Sequence, residues 1–202
     1  MRKLYLHIGT EKTGTTSIQH FLTKNYSSLL SKHNILYPDH PVLFDKNAHF
    51  PMAGAFLNPL YCDFVEQNNI SNPNDISKTL LEEYDKYNPN LMVLSAEHFS
   101  SRFMETDVSN LSKILSSFHV KISVYVRRQD SMALSSFSTG VWTGRRNWFD
   151  IAEVTPNCPR YNIIKMLLIW GRYFGNDQIE LRIFNNKTTK KTWNQPMISW
   201  EY

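Results

Sequence analysis

The 202-residue chain is long enough for one domain with a sizeable core, and its 42% apolar content excludes a disordered chain. A net charge of +4 suits a polyanionic ligand but is too small to indicate a nucleic-acid-binding protein. No stretch approaches the roughly 18 apolar residues of a membrane span, and the start of the chain does not fit a signal peptide. Cys62 and Cys158 lack C-x-x-C spacing, which favours free thiols over one disulfide, so we expect a cytoplasmic protein.

The first predicted elements are a strand over Lys3–Ile8, a loop bounded by two glycines, and a helix over Thr15–Leu30. Glycines let the backbone turn tightly and approach a ligand. The N–H groups at the start of a helix attract anions. This order predicts a phosphate-binding loop, with the candidate ligands Gly9, Lys12, Thr13, Gly14, Thr15, Thr16 and Ser17.

The position of the loop lysine separates two kinds of phosphate site. In the nucleotide-binding pattern G-x-x-x-x-G-K-[ST] the lysine follows the second glycine, but here Thr15 follows Gly14 and the lysine is Lys12. A lysine within the loop approaches the bound group from the loop side. A P-loop kinase or nucleotide hydrolase stays open as the alternative.

Residues 38–72 are polar and irregular, with a short helix expected around His49–Leu57. The other elements predicted in this half of the chain are a short strand over Ile35–Tyr37, a helix over Asp75–Tyr87, a strand over Leu91–Ser95 and a helix over Asp107–Phe118. Glu97 and His98 follow the strand Leu91–Ser95 directly. They are candidates for proton transfer, although each could equally be a structural residue or a helix cap.

A strand over Val120–Val126 ends at Arg127, and a helix is predicted over about 130–139. A guanidinium group is a forked donor suited to a phosphate, and the hydroxyl of Ser135 lies eight residues further on. An ordinary strand-end cation is the alternative for Arg127. An irregular segment over 140–158, a helix over 160–174 and a strand over Ile179–Phe184 complete the prediction.

Alternating strands and helices predict an α/β fold, with three layers and a mostly parallel central sheet between helices on both faces. Ligands of such sheets bind at the carboxyl ends of the strands, where the glycine loop, Glu97 and Arg127 all fall. We predict a single domain over residues 1–202, with a core over 1–184 and a polar tail over 185–202.

The run K-T-G-T-T-S at Lys12–Ser17, together with Arg127 and Ser135, resembles the sulfotransferases that use 3′-phosphoadenosine-5′-phosphosulfate (PAPS). The resemblance implies the P-loop NTPase-like sulfotransferase fold. It implies that the loop holds the 5′-phosphosulfate and that Arg127 and Ser135 hold the 3′-phosphate. Ser17 stands where soluble small-molecule members carry a tryptophan, so the match is closer to the carbohydrate-type and bacterial branches.

The resemblance also implies a mechanism. Lys12 would stabilise the leaving bisphosphate, and Glu97 or His98 would take the proton of an acceptor hydroxyl, with no metal involved. The acceptor is expected to be a saccharide or glycan. His49 and Trp142 are the candidate acceptor contacts, the latter beside the basic pair Arg145–Arg146.

Residues 185–202 depart from the family pattern, which continues with a helix and a basic glycine segment. This departure predicts a C-terminally truncated member and leaves a non-catalytic nucleotide-binding remnant open as a further alternative.

Overall fold

The computed structural model describes residues 1–184, apart from 65, 67–68, 145–146, 150–151, 153, 156 and 159. The predicted tail over 185–202 and the pair Arg145–Arg146 therefore lie outside the described residues. The strands are β1 (Arg2–His7), β2 (Ile35–Leu36), β3 (Leu91–Ser95), β4 (Phe118–Val126) and β5 (Ile179–Ile183). The α-helices are α1 (Thr15–Lys24), α2 (Tyr26–His33), α3 (Phe50–Gly54), α4 (Pro73–Tyr87), α5 (His98–Ser101), α6 (Glu105–Ile114), α7 (Gln129–Trp142) and α8 (Ile163–Phe174).

The five strands form one sheet in the order β2-β3-β1-β4-β5, and each neighbouring pair is parallel. The register pairs His7 of β1 with Ser95 of β3 and with Ser123 of β4. The carboxyl ends of the three central strands therefore meet at one edge of the sheet. The segments after β1, β3 and β4 leave the sheet side by side, as the sequence predicts.

The strands alternate between two apolar clusters, one on each face of the sheet. Val93 packs with Leu22 and Leu29 of α1 and α2 on one face. The neighbouring residues Met92 and Leu94 face the larger cluster, which includes the apolar sides of α4, α6 and α8. Helices thus cover both faces, and the predicted three-layer α/β fold is confirmed.

Several predicted boundaries differ from the observed ones, and three of them have a reason that is visible in the structure. The helix predicted over Thr15–Leu30 is two helices, because Asn25 ends α1 with backbone and side-chain hydrogen bonds to the Phe21 carbonyl. The helix predicted over Asp107–Phe118 is α6 over Glu105–Ile114, since Phe118 already begins β4. The segment predicted to be irregular from residue 140 begins later, because α7 continues to Trp142.

Candidate active site

The glycine loop between β1 and α1 is held by backbone hydrogen bonds that continue the β1–β4 pairing. Thr10 N–H donates to the Tyr125 carbonyl at 2.8 Å, and Tyr125 N–H donates to the Gly9 carbonyl at 2.6 Å. The Thr13 hydroxyl donates to the Thr10 carbonyl at 2.6 Å and closes the turn from within. The loop is therefore fixed to the sheet at its start and braced by its own side chain.

Two loop glycines are required by the local geometry. Gly9 has φ of +105°, and a Cβ there would lie 3.1 Å from the Glu97 Cα. Gly14 has φ of +81°, and a Cβ there would lie 3.2 Å from the Phe184 ring. Side chains rarely adopt such backbone angles. Glycine thus lets the segment after β3 approach the loop and lets Phe184 pack against the start of α1.

A cavity of about 570 Å³ opens at this edge of the sheet. Lys12, Gly14, Thr15 and Thr16 line one side of it, and Glu97 and His98 line another. The first N–H groups of a helix have no partner within the helix. The start of α1, next to the Lys12 ammonium, is thus a suitable place for an anionic group.

The predicted loop ligands divide into two groups. Lys12, Gly14, Thr15 and Thr16 line the cavity. Gly9, Thr13 and Ser17 do not line it: Gly9 packs behind the loop, Thr13 is buried and Ser17 is exposed.

Lys12 links the loop to α7 and to the end of β4. Its backbone has φ of +63°, and its ammonium donates to the Thr139 hydroxyl at 2.9 Å. The Arg127 guanidinium donates to the Lys12 carbonyl at 3.3 Å and lies over the Phe184 ring. Ser135 is in the second turn of α7, where its carbonyl accepts from the Thr139 hydroxyl. Arg127 is thus in contact with the loop, beside the cavity rather than lining it.

One wall of the cavity carries two ion pairs, one of which includes the loop residue Glu11. Arg160 pairs with Glu11, whose side chain is 11% exposed, and Arg102 pairs with Asp63 at 3.0 Å. Burial opposes the ionisation of Glu11, but the Arg160 charge holds the pKa of this carboxyl below its ordinary value. Glu11 is therefore charged at neutral pH.

The ring of His98 is enclosed in the same wall. It stacks on Phe64 at a centroid separation of 3.7 Å, and its Nδ1 lies 3.9 Å from a Glu11 carboxylate oxygen. Burial lowers the pKa of His98 to about 4, against an opposing effect of the Glu11 charge. The ring is therefore neutral at pH 7.

Glu97 is held by a polar side chain of α1. The amide nitrogen of Gln19 donates to Glu97 Oε2 at 2.7 Å and contacts Ser95 Oγ at 3.3 Å. Ser95 Oγ in turn lies 2.7 Å from His7 Nδ1. The Glu97 carboxylate is thus anchored at the cavity wall from the side of the sheet.

Neither of the two predicted acceptor contacts lines the cavity. His49 is fully buried, its Nδ1 accepts from Ser95 N–H at 3.0 Å, and its Nε2 donates to the Pro38 carbonyl. Both nitrogens are occupied by backbone partners, so His49 has a structural role. Trp142 is 88% exposed at the end of α7 and does not line the cavity.

Much of the cavity wall was not predicted from the sequence. For the part that α7 contributes a signal was available, because Ser136, Thr139 and Gly140 are small residues spaced three and four apart, on one face of a helix. Ion pairs between distant residues leave no local pattern. The missed lining residues are Glu11, Asp63, Phe64, Arg102, Ser136, Thr139, Gly140, Thr143 and Arg160.

The fold is similar to that of a solved bacterial protein. The structure of a sulfotransferase from Alicyclobacillus acidocaldarius matches with a TM-score of 0.53 at 16% sequence identity, over 97% of this chain and 76% of that chain. The chain thus has the P-loop-like fold of that bacterial sulfotransferase. No protein-family model and no curated protein matches the sequence. Among the described helices, none is long and apolar enough to cross a membrane.

Proposed function

We propose that the protein is a PAPS-dependent sulfotransferase that transfers a sulfonyl group to an acceptor hydroxyl of a saccharide or glycan. The observation that carries the proposal is the shared cavity: Lys12 and the start of α1 line one side, and the carboxylate of Glu97 lines another. Donor-binding and proton-accepting groups must meet at one place for transfer to a hydroxyl. The similarity of the fold to a bacterial sulfotransferase supports the same class of activity.

The proposed nucleotide would extend from the cavity to Arg127 and Ser135, which lie beside it. The cavity volume of about 570 Å³ is within the usual range for ligand sites. Lys12, Thr15 and Thr16 would hold the 5′ end, and Arg127 with Ser135 would hold the 3′-phosphate. When bound, PAPS supplies an activated sulfonyl group.

The protein's own contribution is positioning and charge. The Lys12 ammonium would stabilise negative charge that develops on the bridging oxygen. Glu97 would remove the proton of the acceptor hydroxyl, and its anchored carboxylate favours it over His98. The stacking of His98 on Phe64 and its neutral state suit a wall residue next to the acceptor. The proposed transfer is in line and needs no metal.

The first test is thermal stabilisation by 3′-phosphoadenosine-5′-phosphate without magnesium, compared with ATP plus magnesium. A ligand that binds only the folded state raises the melting temperature. We expect the bisphosphate to stabilise the wild type and Arg127→Ala to lose most of this effect. The exposed Arg128 provides the control Arg128→Ala, because its side chain pairs only with the neighbouring Asp130 among the contacts described.

Two outcomes would overturn the proposal. Stabilisation by ATP and magnesium alone would favour a kinase or nucleotide hydrolase. A wild type that responds to neither ligand would favour a non-catalytic remnant. A positive result leads to transfer of labelled sulfonyl groups from PAPS to a panel of saccharides.

A further inference from the structure

We propose that Gln19 is a positioning residue that holds the Glu97 carboxylate aimed into the cavity. This inference rests on the proposed function for its catalytic meaning. Its structural content is separate: a buried amide in α1 fixes the direction of a carboxylate that lies just after β3. The contacts that carry it involve the side chains of His7, Ser95, Gln19 and Glu97.

The first contact is direct. Gln19 is 4% exposed, and its amide nitrogen lies 2.7 Å from Glu97 Oε2. An ionised carboxylate only accepts hydrogen bonds, so the NH₂ group of the amide must be the part that faces it. A hydrogen bond of this length holds the accepting oxygen in one position. The ionised form of Glu97 is the one that can take a proton from a hydroxyl.

The second contact fixes the direction of the amide. The same Gln19 nitrogen lies 3.3 Å from Ser95 Oγ, so its two hydrogens are shared between Ser95 and Glu97. Ser95 is fully buried, and its hydroxyl lies 2.7 Å from His7 Nδ1. A side chain held at both hydrogens has little freedom to rotate. The amide therefore presents one fixed hydrogen to Glu97.

The third part of the arrangement is the neutral ring of His7, which contacts the Ser95 hydroxyl. His7 is 3% exposed in the central strand β1, and burial lowers its pKa to about 4. A neutral ring adds no competing positive charge beside Ser95. Its position is fixed by the pairing of β1 with both neighbours. The series His7, Ser95, Gln19, Glu97 thus runs from the middle of the sheet to the cavity.

The choice of residue at position 19 also favours a role beyond packing. Gln19 lies on the buried face of α1 with Thr15 and Leu22. An apolar side chain would fill this position without the cost of burying an amide. Among the described contacts, the hydrogen bonds from the Gln19 amide to Ser95 and Glu97 are the ones that offset the cost of burying it. A helix that only needed to pack against the sheet would gain from leucine or methionine here.

The variant Gln19→Met tests the proposal, because methionine has a similar length but no donor. The control is His20→Met, at the exposed neighbouring position of the same helix. The first readout is the crystal structure of each variant, which shows the Glu97 side chain directly. We expect the Glu97 carboxylate to leave its wild-type position in Gln19→Met and to keep it in His20→Met. A Glu97 carboxylate that keeps its wild-type position in Gln19→Met would overturn the proposal.

The second readout is sulfonyl transfer, with kcat and KM measured separately. In Gln19→Met we expect kcat to fall roughly 10- to 100-fold, with the stabilisation by the bisphosphate retained. Purely structural damage would instead lower melting temperature and ligand stabilisation together. The variant Gln19→Glu keeps the shape but places a second carboxylate against Glu97, so we expect it to lower kcat at least as much as Gln19→Met.

The two proposals fail in different ways. If the wild type neither binds the bisphosphate nor transfers a sulfonyl group, the proposed function is wrong, yet the position of the Glu97 carboxylate still tests Gln19. If the wild type transfers and Gln19→Met keeps both the carboxylate position and kcat, only the inference about Gln19 is wrong.

Discussion

Lys12 and Thr139 meet across the cavity, where the ammonium of the loop lysine donates to the hydroxyl of the α7 residue at 2.9 Å. The two residues are 127 positions apart in the sequence. The contact gives the flexible lysine side chain a defined direction, toward the space in front of α1. It also links the loop to α7. The loop is therefore bonded both to β4, through its backbone, and to the helix that follows β4.

Lys12→Met should remove the charge that faces the reacting group while leaving the fold intact. We expect the rate of sulfonyl transfer to fall about 100- to 1,000-fold, as when a stabilising donor is removed from other active sites. Lys24→Met, at the exposed end of α1, is the matched control. Single-turnover transfer of labelled sulfonyl groups measures the effect. Equal rates in the two variants would contradict the role of Lys12.

Gly14→Ala and Gly144→Ala form a matched pair. Both glycines have positive φ, +81° and +70°, so both variants should incur a similar backbone penalty of about 1 kcal/mol. A Cβ at Gly14 would lie 3.2 Å from the Phe184 ring, whereas a Cβ at Gly144 would meet nothing within 4 Å. Gly14→Ala should therefore cost more stability and also weaken stabilisation by the bisphosphate.

Urea unfolding and ligand thermal shift would measure the two effects in the same samples. Equal losses of stability in both glycine variants, with ligand stabilisation retained, would contradict the contact between the loop and Phe184.

The two ion pairs of the cavity wall should differ in their contribution to stability. Arg160→Met leaves the buried Glu11 carboxylate without its cation, and we expect a loss of about 1–3 kcal/mol. Arg102→Met removes the partner of Asp63, which is 60% exposed, so the loss should stay below about 1 kcal/mol. The free energy of unfolding from urea titration tests the order. A larger loss in Arg102→Met would contradict it.

Stability should decrease as the pH falls from about 6.5 to 4. Burial lowers the pKa of His7 and His98 to about 4 and that of His49 to about 3, below the ordinary value of 6.5. In this window the unfolded chain binds more protons than the folded one, so acid favours unfolding. For His49 the reason is visible in the contacts, because a proton on Nδ1 would displace the bond from Ser95 N–H.

His49→Gln tests the histidine contribution, because an amide can accept and donate as the neutral ring does. We expect the free energy of unfolding to depend less steeply on pH between 4 and 6.5 in this variant. His20→Gln, at an exposed position, should keep the wild-type slope. An identical slope in His49→Gln and the wild type would contradict the assignment.

The sequence was sufficient to predict most of the fold, because its strands are dense apolar runs. The strand Leu91–Ser95 was predicted at its observed bounds, and the parallel sheet followed from the alternation of strands and helices. The break at Asn25 could not be predicted, since the apolar spacing continues through it. A local hydrogen bond from an asparagine side chain ends α1 without changing the hydrophobic pattern.

The candidate site was predictable only where its residues are close in sequence. The glycine loop and Glu97 follow strands, so their position was predictable from topology. The pair Glu11 and Arg160 spans 149 positions, with Arg160 in the segment just before α8, so no local pattern indicates it. His49 shows the opposite error: a histidine in a polar segment suggested a ligand contact, but tertiary packing buries it completely.

The backbone bonds between the loop and β4 have a consequence for dynamics. Thr10 N–H donates to the Tyr125 carbonyl, and Tyr125 N–H donates to the Gly9 carbonyl. Both amides should therefore resist hydrogen exchange as strongly as amides inside the sheet. Ligand-binding loops commonly open more easily than the core. Here the start of the loop would open only with the central strands. The anion site would then be in place before any ligand arrives, and little ordering would accompany binding.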